Sequence, residues 1–224
     1  MNFLLLFLGL APSLIWLSFF LQEDLHPEPR RMIFSVFLVG ALAALGAYFV
    51  ERWAGDYLRT FGIFEQTFYY VLAFAVIEEL VKFIAAYSVI RHSKYFDEPI
   101  DAMIYMMTAA MGLAAVENIA VAFDGGLMSV KIGSLLFRFL GATLLHALSA
   151  SAVGYYWARG IVKRHVFFYV LIGLIMGSLL HVIFNYFIIV FDGGLLYSIG
   201  ILILAAFFVF HDFEKIKREP PMKM

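Results

Sequence analysis

Two adjacent carboxylic acids, Glu78 and Glu79, lie with Lys82 in the middle of an apolar stretch, residues 67–90, that is long enough to cross a bilayer. An ionisable side chain at the centre of a membrane helix is costly to insert, and neighbouring carboxylates disfavour each other's ionised form. A purely structural position would not require that cost, so the pair predicts a functional site. The alternative is a buried structural ion pair in which Lys82 neutralises the acids.

Helical spacing suggests different roles for the two glutamates. Successive residues of a helix turn by about 100°, so Glu78 and Glu79 cannot face one point, and Lys82 falls between them at i+4 and i+3. One carboxylate can therefore face a cavity while the other binds Lys82. The carboxylate that faces the cavity could act as a general base toward water. The spacing leaves open which glutamate that is.

Three later apolar segments carry polar residues of the same kind. These residues are Glu117 and Asn118 in 100–123, Arg138, His146 and Ser149 in 132–158, and His181 and Asn185 in 166–191. Glu117 and Asn185 each precede an Asp-Gly-Gly turn, at Asp124 and Asp192, by seven residues or roughly 10 Å of helix. We therefore expect the Glu and His side chains to share one layer between the mid-membrane and the outer face.

Two of these residues have alternative interpretations. Asn118 suits either an interhelical hydrogen bond or a direct chemical role. Arg138 could balance the charge of a glutamate, but its place near a predicted helix end favours a side chain that extends outward to the interface. Ser149 is expected to be a small packing residue, because no strained turn presents it as a nucleophile.

Glutamates, histidines and an asparagine at one depth favour the activation of water for hydrolysis. A glutamate can deprotonate water, while neutral His and Asn donors can stabilise an oxyanion. Glu with two His is also a common ligand set for catalytic zinc. That set would be Glu117, His146 and His181, with Glu79 as a further candidate. The compact His-Glu-x-x-His motif is missing, so a metal-free glutamate mechanism and a Zn²⁺ mechanism both stay open.

The apolar segments that position these residues make up most of the chain. It is 63% hydrophobic with a mean hydropathy of +0.90, whereas soluble domains are about half apolar. The absence of cysteine excludes disulfides and thiolate metal sites. Each membrane crossing needs about 20 apolar residues, and the sequence offers seven such segments: 2–21, 32–50, 67–90, 100–123, 132–158, 166–191 and 194–212.

The sequence thus predicts an all-α, polytopic transmembrane helix bundle that forms a single domain over residues 1–224. Seven helices are expected, or eight if residues 51–64 form an extra interfacial helix. Basic residues concentrate in alternate loops, so the positive-inside rule predicts the N-terminus outside and the C-terminus in the cytoplasm. The loops predicted to be cytoplasmic contain Arg30, Arg31, Arg91, Lys94, Arg159, Lys163, Arg164, Lys215, Lys217, Arg218 and Lys223, and the others only Arg52, Arg59 and Lys131.

Four ordered motifs within residues 67–190 resemble those of the PrsW family of intramembrane proteases, distant relatives of the CAAX prenyl endopeptidase and of bacteriocin-processing membrane enzymes. The motifs are Glu78-Glu79-x-x-Lys82, Leu113-x-x-x-Glu117-Asn118, His146 with Ser149, and His181-x-x-x-Asn185. Leu113 stands where an aromatic residue is usual in the family, a difference that we expect to affect packing more than catalysis.

The resemblance implies a membrane-embedded protease with its catalytic core at about 67–190. It implies a catalytic centre of Glu78, Glu79, Glu117, His146 and His181, with Lys82, Asn118 and Asn185 in supporting roles. It also implies cleavage of a membrane-anchored anti-sigma factor on the extracytoplasmic side, the first cut in a stress-signalling cascade, within a bacterial or archaeal cell membrane. The lipid bilayer is the other expected partner, and no nucleic acid is expected. The alternative function is a proton- or ion-coupled transporter that uses the same Glu and His residues.

Overall fold

A computed structural model describes residues 2–191 and 194–221, apart from the side chains of Asn2 and Leu195. Asp192, where the second Asp-Gly-Gly turn was expected, lies outside these residues. The described residues form α-helices and no strand, which confirms the all-α prediction. The helices are α1 Asn2–Phe20, α2 Arg30–Thr60, α3 Phe68–Ile90, α4 Asp101–Phe123, α5 Met128–Leu140, α6 Ala142–Lys163, α7 Val166–Val190 and α8 Gly194–Ile216.

The helices form a bundle whose outer surface is apolar. Large side chains such as Phe34, Phe49, Phe167 and Phe207 are exposed, as expected where lipid replaces water as the solvent. Six helical stretches of the described chain are long and apolar enough to cross a membrane. α3 has 23 residues but carries Glu78, Glu79 and Lys82 and is not among the six, so the number of crossings and the orientation stay predictions.

α4 lies at the centre of the bundle and contacts α1, α2, α3, α5 and α6. Every residue from Asp101 to Ala115 is buried, which requires close approach by the neighbouring backbones. Two glycines allow this at the crossing of α2 and α4. A Cβ on Gly40 would lie 2.2 Å from the carbonyl oxygen of Ala109, and one on Gly112 would lie 2.0 Å from that of Phe37. Small residues thus let α2 and α4 pack backbone to backbone.

α7 also approaches α6 closely at the level of the polar residues. A Cβ on Gly177 would lie 2.7 Å from Val153 Cγ2 and 3.0 Å from the carbonyl oxygen of Ser149. Gly177 lies one helical turn before His181, so the close contact fixes the position of that histidine relative to α6. α3 also packs against α7 and supplies the glutamate pair, and a Cβ on Gly177 would lie 3.6 Å from Glu79 Oε2.

Two predicted segments differ from the observed helices. The predicted helix over 132–158 is two helices, α5 and α6. The backbone of Gly141, with φ −110° and ψ −93°, is not helical and separates them. The predicted segment 32–50 is the apolar part of a longer helix, α2, which continues to Thr60. Residues 51–60 thus continue α2 and do not form a separate interfacial helix. The helix α5 is the additional element of the fold.

Candidate active site

Glu79 is the centre of a completely buried group of side chains from α3, α6 and α7. Its Oε1 accepts hydrogen bonds from Lys82 Nζ at 2.6 Å and from Ser149 Oγ at 2.8 Å. His181 Nδ1 lies 2.9 Å from the same oxygen, and since a carboxylate only accepts, the ring donates from Nδ1. We call Glu79, Lys82, Ser149 and His181 the closed arm, because the side chains of Glu79 and Lys82 are 0% exposed.

Glu117 has the equivalent position in a second, more open group. Its Oε2 accepts from Arg138 NH2 at 2.6 Å and lies 3.1 Å from His146 Nε2, which therefore donates. Arg138 Nε donates to Asn118 Oδ1 at 2.6 Å. We call Glu117, Asn118, Arg138 and His146 the open arm, because the side chains of Arg138 and Glu117 are 23% and 32% exposed.

Two expectations from the sequence concern residues of the open arm, Arg138 and Asn118. The expectation that the side chain of Arg138 extends outward is wrong. Arg138 lies in the last turn of α5, which ends at Leu140, and its guanidinium contacts Glu117 instead. Asn118 makes the expected interhelical hydrogen bonds. Its Nδ2 donates to Thr143 Oγ1 at 3.0 Å and to Ser13 Oγ at 3.5 Å, so α1, α4, α5 and α6 meet at this one side chain.

Glu78 lies where the two arms meet. Its Oε2 is 3.6 Å from His146 Nδ1 and 3.8 Å from His181 Nε2. These are the ring nitrogens that the two arms leave unused. The three atoms lie within 4.8 Å of one another, and we call Glu78 Oε2, His146 Nδ1 and His181 Nε2 the acceptor cluster. The two imidazole rings stand edge to face with their centroids 5.2 Å apart.

Among the residues that the structure describes, none donates a hydrogen bond to the acceptor cluster. Because each ring donates its proton to a carboxylate of an arm, both remaining nitrogens present lone pairs toward an acidic oxygen. Glu78 Oε2 and His146 Nδ1 are buried and have no hydrogen-bond partner in the described residues. Buried acceptors without a donor are costly, so this convergence needs a proton or a bound cation.

A divalent cation fits this requirement. Zn²⁺ is bound by imidazole and carboxylate ligands, and its histidine ligands usually donate their other ring N–H to a carboxylate or carbonyl. Here both histidines do so, through Glu79 and Glu117. A tetrahedral ion separates ligand atoms by about 3.3 Å, close to the 3.6 and 3.8 Å distances from Glu78 Oε2. The residues present therefore fit a zinc site with an open position.

The three groups that converge in the structure differ from the metal-ligand set expected from the sequence, which was Glu117, His146 and His181. Glu78 faces both histidines, whereas Glu117 and Glu79 contact the far nitrogen of each ring. The side chain of Asn185 is half-buried on α7 and makes no direct hydrogen bond among the described residues. Ser149 was expected only to pack but also donates to Glu79. Its spacing of three residues from His146, on one face of α6, was the available signal.

These features define a class of protein: a polytopic helical membrane protein with a buried Glu–His–His centre supported by two further carboxylates. The chain belongs to the PrsW family of intramembrane proteases, because the model of the PrsW family intramembrane metalloprotease matches residues 28–211. This membership confirms the resemblance seen in the motifs. It also favours a protease over the transporter alternative.

Curated relatives agree with this assignment. The chain is 27% identical over 181 residues to Protease PrsW of Oceanobacillus iheyensis, covering 80% of each chain. It is 26% identical to Protease PrsW of Geobacillus kaustophilus, covering 82% of this chain and 79% of the relative. It is 25% identical to Protease PrsW of Bacillus subtilis, covering 89% of each. No solved structure matches the chain significantly. The protein is thus a membrane protease, and its bacterial relatives are consistent with a bacterial membrane.

Proposed function

We propose that the chain hydrolyses a peptide bond of a membrane-anchored protein at the acceptor cluster, with a divalent cation held by Glu78, His146 and His181. The convergence of three acceptors without a donor carries this proposal. Held by these three residues, a zinc ion would supply a Lewis acid for the peptide carbonyl group and would lower the pKa of water enough for attack near neutral pH. The chain's own residues supply the ligands, their orientation and the proton acceptors.

The two arms have distinct tasks in this proposal. Glu79 and Glu117 fix the ring protons of His181 and His146 on the far nitrogens, so that both near nitrogens stay free to bind. Lys82 and Arg138 hold the two carboxylates in place. Both described contacts of Glu117 use Oε2, which leaves Oε1, on a partly exposed side chain, for water or substrate. We therefore assign proton transfer to Glu117.

A metal-free version is the alternative mechanism. Glu78 would then be the general base, since its Oε2 has no hydrogen-bond partner and faces neutral imidazoles. The two versions make different predictions for chelators and for metal content. A protease that keeps full activity after complete removal of divalent ions would support the metal-free version.

For the substrate, we propose a membrane-anchored anti-sigma factor cut near its extracytoplasmic end. The support is the family's motifs together with the predicted orientation, which puts the polar layer toward the outer face. Within the bilayer a peptide must unwind before water can attack it, so a scissile bond close to the interface is favoured. Mass spectrometry of the products would map the bond, and a cut at the cytoplasmic end would contradict this part of the proposal.

The central experiment measures cleavage of a membrane-tethered reporter by the purified chain in liposomes. We expect Glu78→Gln and His181→Ala to lose at least about a hundredfold in activity, because each removes one of the three converging groups. Glu65→Gln is the matched control, since Glu65 is exposed beyond α2 and pairs with Arg59. Elemental analysis should find near-stoichiometric zinc in the wild type. Equal cleavage by all four proteins would refute the proposed site.

A further inference from the structure

Glu51 is a further glutamate of the helix bundle and directly follows the apolar part of α2, residues 32–50. It lies on α2, outside the four sequence motifs. Its side chain is partly buried, and its Oε1 is buried without a hydrogen-bond partner in the described residues. An ionisable residue inside a membrane bundle is by default functional, and an unsatisfied buried oxygen needs a physical reason.

The packing of α2 on α3 places Glu51 near the acceptor cluster. A Cβ on Gly55 would lie 2.6 Å from Tyr70 Oη and 3.4 Å from Phe74 Cζ. These consecutive helices are joined by a short loop, so they run in opposite directions. One turn deeper on each helix, at i−4 from Gly55 and i+4 from Phe74, lie Glu51 and Glu78. The two glutamates therefore face the same level of the bundle.

Two basic side chains of this layer are already paired. Lys82 forms its ion pair with Glu79 and Arg138 with Glu117. Glu51 and Glu78 have no ion pair with Lys or Arg in the described residues.

Ionised, Glu51 and Glu78 would give this layer two negative charges that no Lys or Arg side chain of the described residues balances. Neutral imidazoles would add no positive charge and would offer lone pairs to Glu78. Two uncompensated carboxylates in a medium of low dielectric are costly, so they take up protons or bind a cation. One divalent cation would balance both charges.

We propose that Glu51 belongs to the active centre and that its charge, without touching the ion, strengthens the binding of a divalent cation by Glu78, His146 and His181. This inference rests on the metal-dependent form of the proposed function. A unit charge at the same level of the bundle as a divalent ion acts on it strongly where water is excluded. Glu51→Gln keeps the shape of the side chain and should weaken Zn²⁺ binding about tenfold to hundredfold.

The test is a competition titration of Zn²⁺ between a chromogenic chelator and the purified, metal-stripped full chain in detergent. We expect Glu65→Gln to bind like the wild type, Glu51→Asp to recover most of the affinity lost in Glu51→Gln, and Glu78→Gln to bind no ion. Circular dichroism verifies the fold of each variant. If Glu51→Gln does not fold, Glu51→Ser carries the same expectation.

The outcomes separate this inference from the proposed function. Wild-type affinity in Glu51→Gln, with binding lost in Glu78→Gln, would overturn the role of Glu51 and leave the metal site intact. A wild type that cleaves the reporter but binds no Zn²⁺ would overturn both the metal site and this inference. Weakened binding in Glu51→Gln that Glu51→Asp does not recover would also contradict it, because the effect would not follow the charge.

Discussion

The closed arm and the open arm apply the same chemistry in two different environments. In each arm a carboxylate accepts from one histidine and is held by one cation, with N···O distances of 2.6 Å to Lys82 and to Arg138. The difference is burial, since Lys82 is 0% exposed whereas Arg138 is 23% exposed. The closed arm is formed by three helices that pack tightly, and the open arm depends on α5, which ends at the Gly141 break. We infer that the closed arm maintains the geometry and the open arm admits water and substrate.

The largest difference between the arms should appear when the cation is removed. Lys82→Met leaves Glu79 buried without its ion pair, and we expect a loss of about 3–5 kcal/mol in the free energy of unfolding. Arg138→Met exposes a carboxylate that water can already reach, so the loss should be about 1 kcal/mol or less. Chemical unfolding in detergent, followed by circular dichroism, measures both. Equal losses would mean that the arms do not differ in burial when the protein is in a membrane environment.

The second effect concerns the close contact that supports the closed arm. In Gly177→Leu the new side chain must displace Val153 or the Ser149 backbone, and overpacking of this kind costs about 1–3 kcal/mol. The shift should also move His181 away from Glu78 and lower activity. Gly200→Leu is the control, because a Cβ there meets nothing within 4 Å. A Gly177→Leu protein as stable and active as Gly200→Leu would contradict the role of this contact.

Removal of each arm's carboxylate tests the shared chemistry of the two. Glu79→Gln and Glu117→Gln both replace the carboxylate that orients a histidine with a neutral amide, which costs tenfold to hundredfold in metal affinity, or about 1.4–2.7 kcal/mol. We expect both variants to bind zinc more weakly to a similar degree. Only Glu117→Gln should also change the pH profile of cleavage, because only Glu117 is assigned to proton transfer. An unchanged pH profile in Glu117→Gln would mean that a residue other than Glu117 transfers the proton.

The sequence predicts the helical class and the polar layer well, because hydropathy and helical periodicity are local properties. The position of Glu78, Glu79 and Lys82 within a long apolar stretch pointed to the candidate site directly. Spacing could not identify which glutamate binds Lys82, because i+3 and i+4 are equally close on a helix. Glu79 binds Lys82 in a geometry set by His181 and Ser149, which approach from other helices. The choice between Glu78 and Glu79 as the partner of Lys82 thus depends on tertiary packing.

The residues that sequence reasoning missed lie where hydropathy misleads. The break at Gly141 falls inside a continuous apolar stretch, so the prediction of one helix over 132–158 directed Arg138 away from the site. Glu51 was missed for the opposite reason. Hydropathy falls at the charged residues after position 50, while α2 continues to Thr60 because helix geometry does not require an apolar sequence. Both errors arise because hydropathy reports solvent preference and not the path of the backbone.

The smallest expected effect on stability separates the two asparagines. Asn118→Ala removes donors to Thr143 and Ser13 and the acceptor of Arg138. Interhelical hydrogen bonds in membranes contribute about 0.6 kcal/mol each, so we expect a loss of roughly 1–2 kcal/mol in unfolding free energy with a modest loss of activity. Asn185→Ala breaks no direct hydrogen bond of the described chain and should leave stability nearly unchanged. If Asn185 stabilises an oxyanion, its loss should lower kcat about a hundredfold or more with little change in KM. Unchanged kinetics in Asn185→Ala would mean that Asn185 does not support catalysis and that the supporting polar residues are those of the two arms.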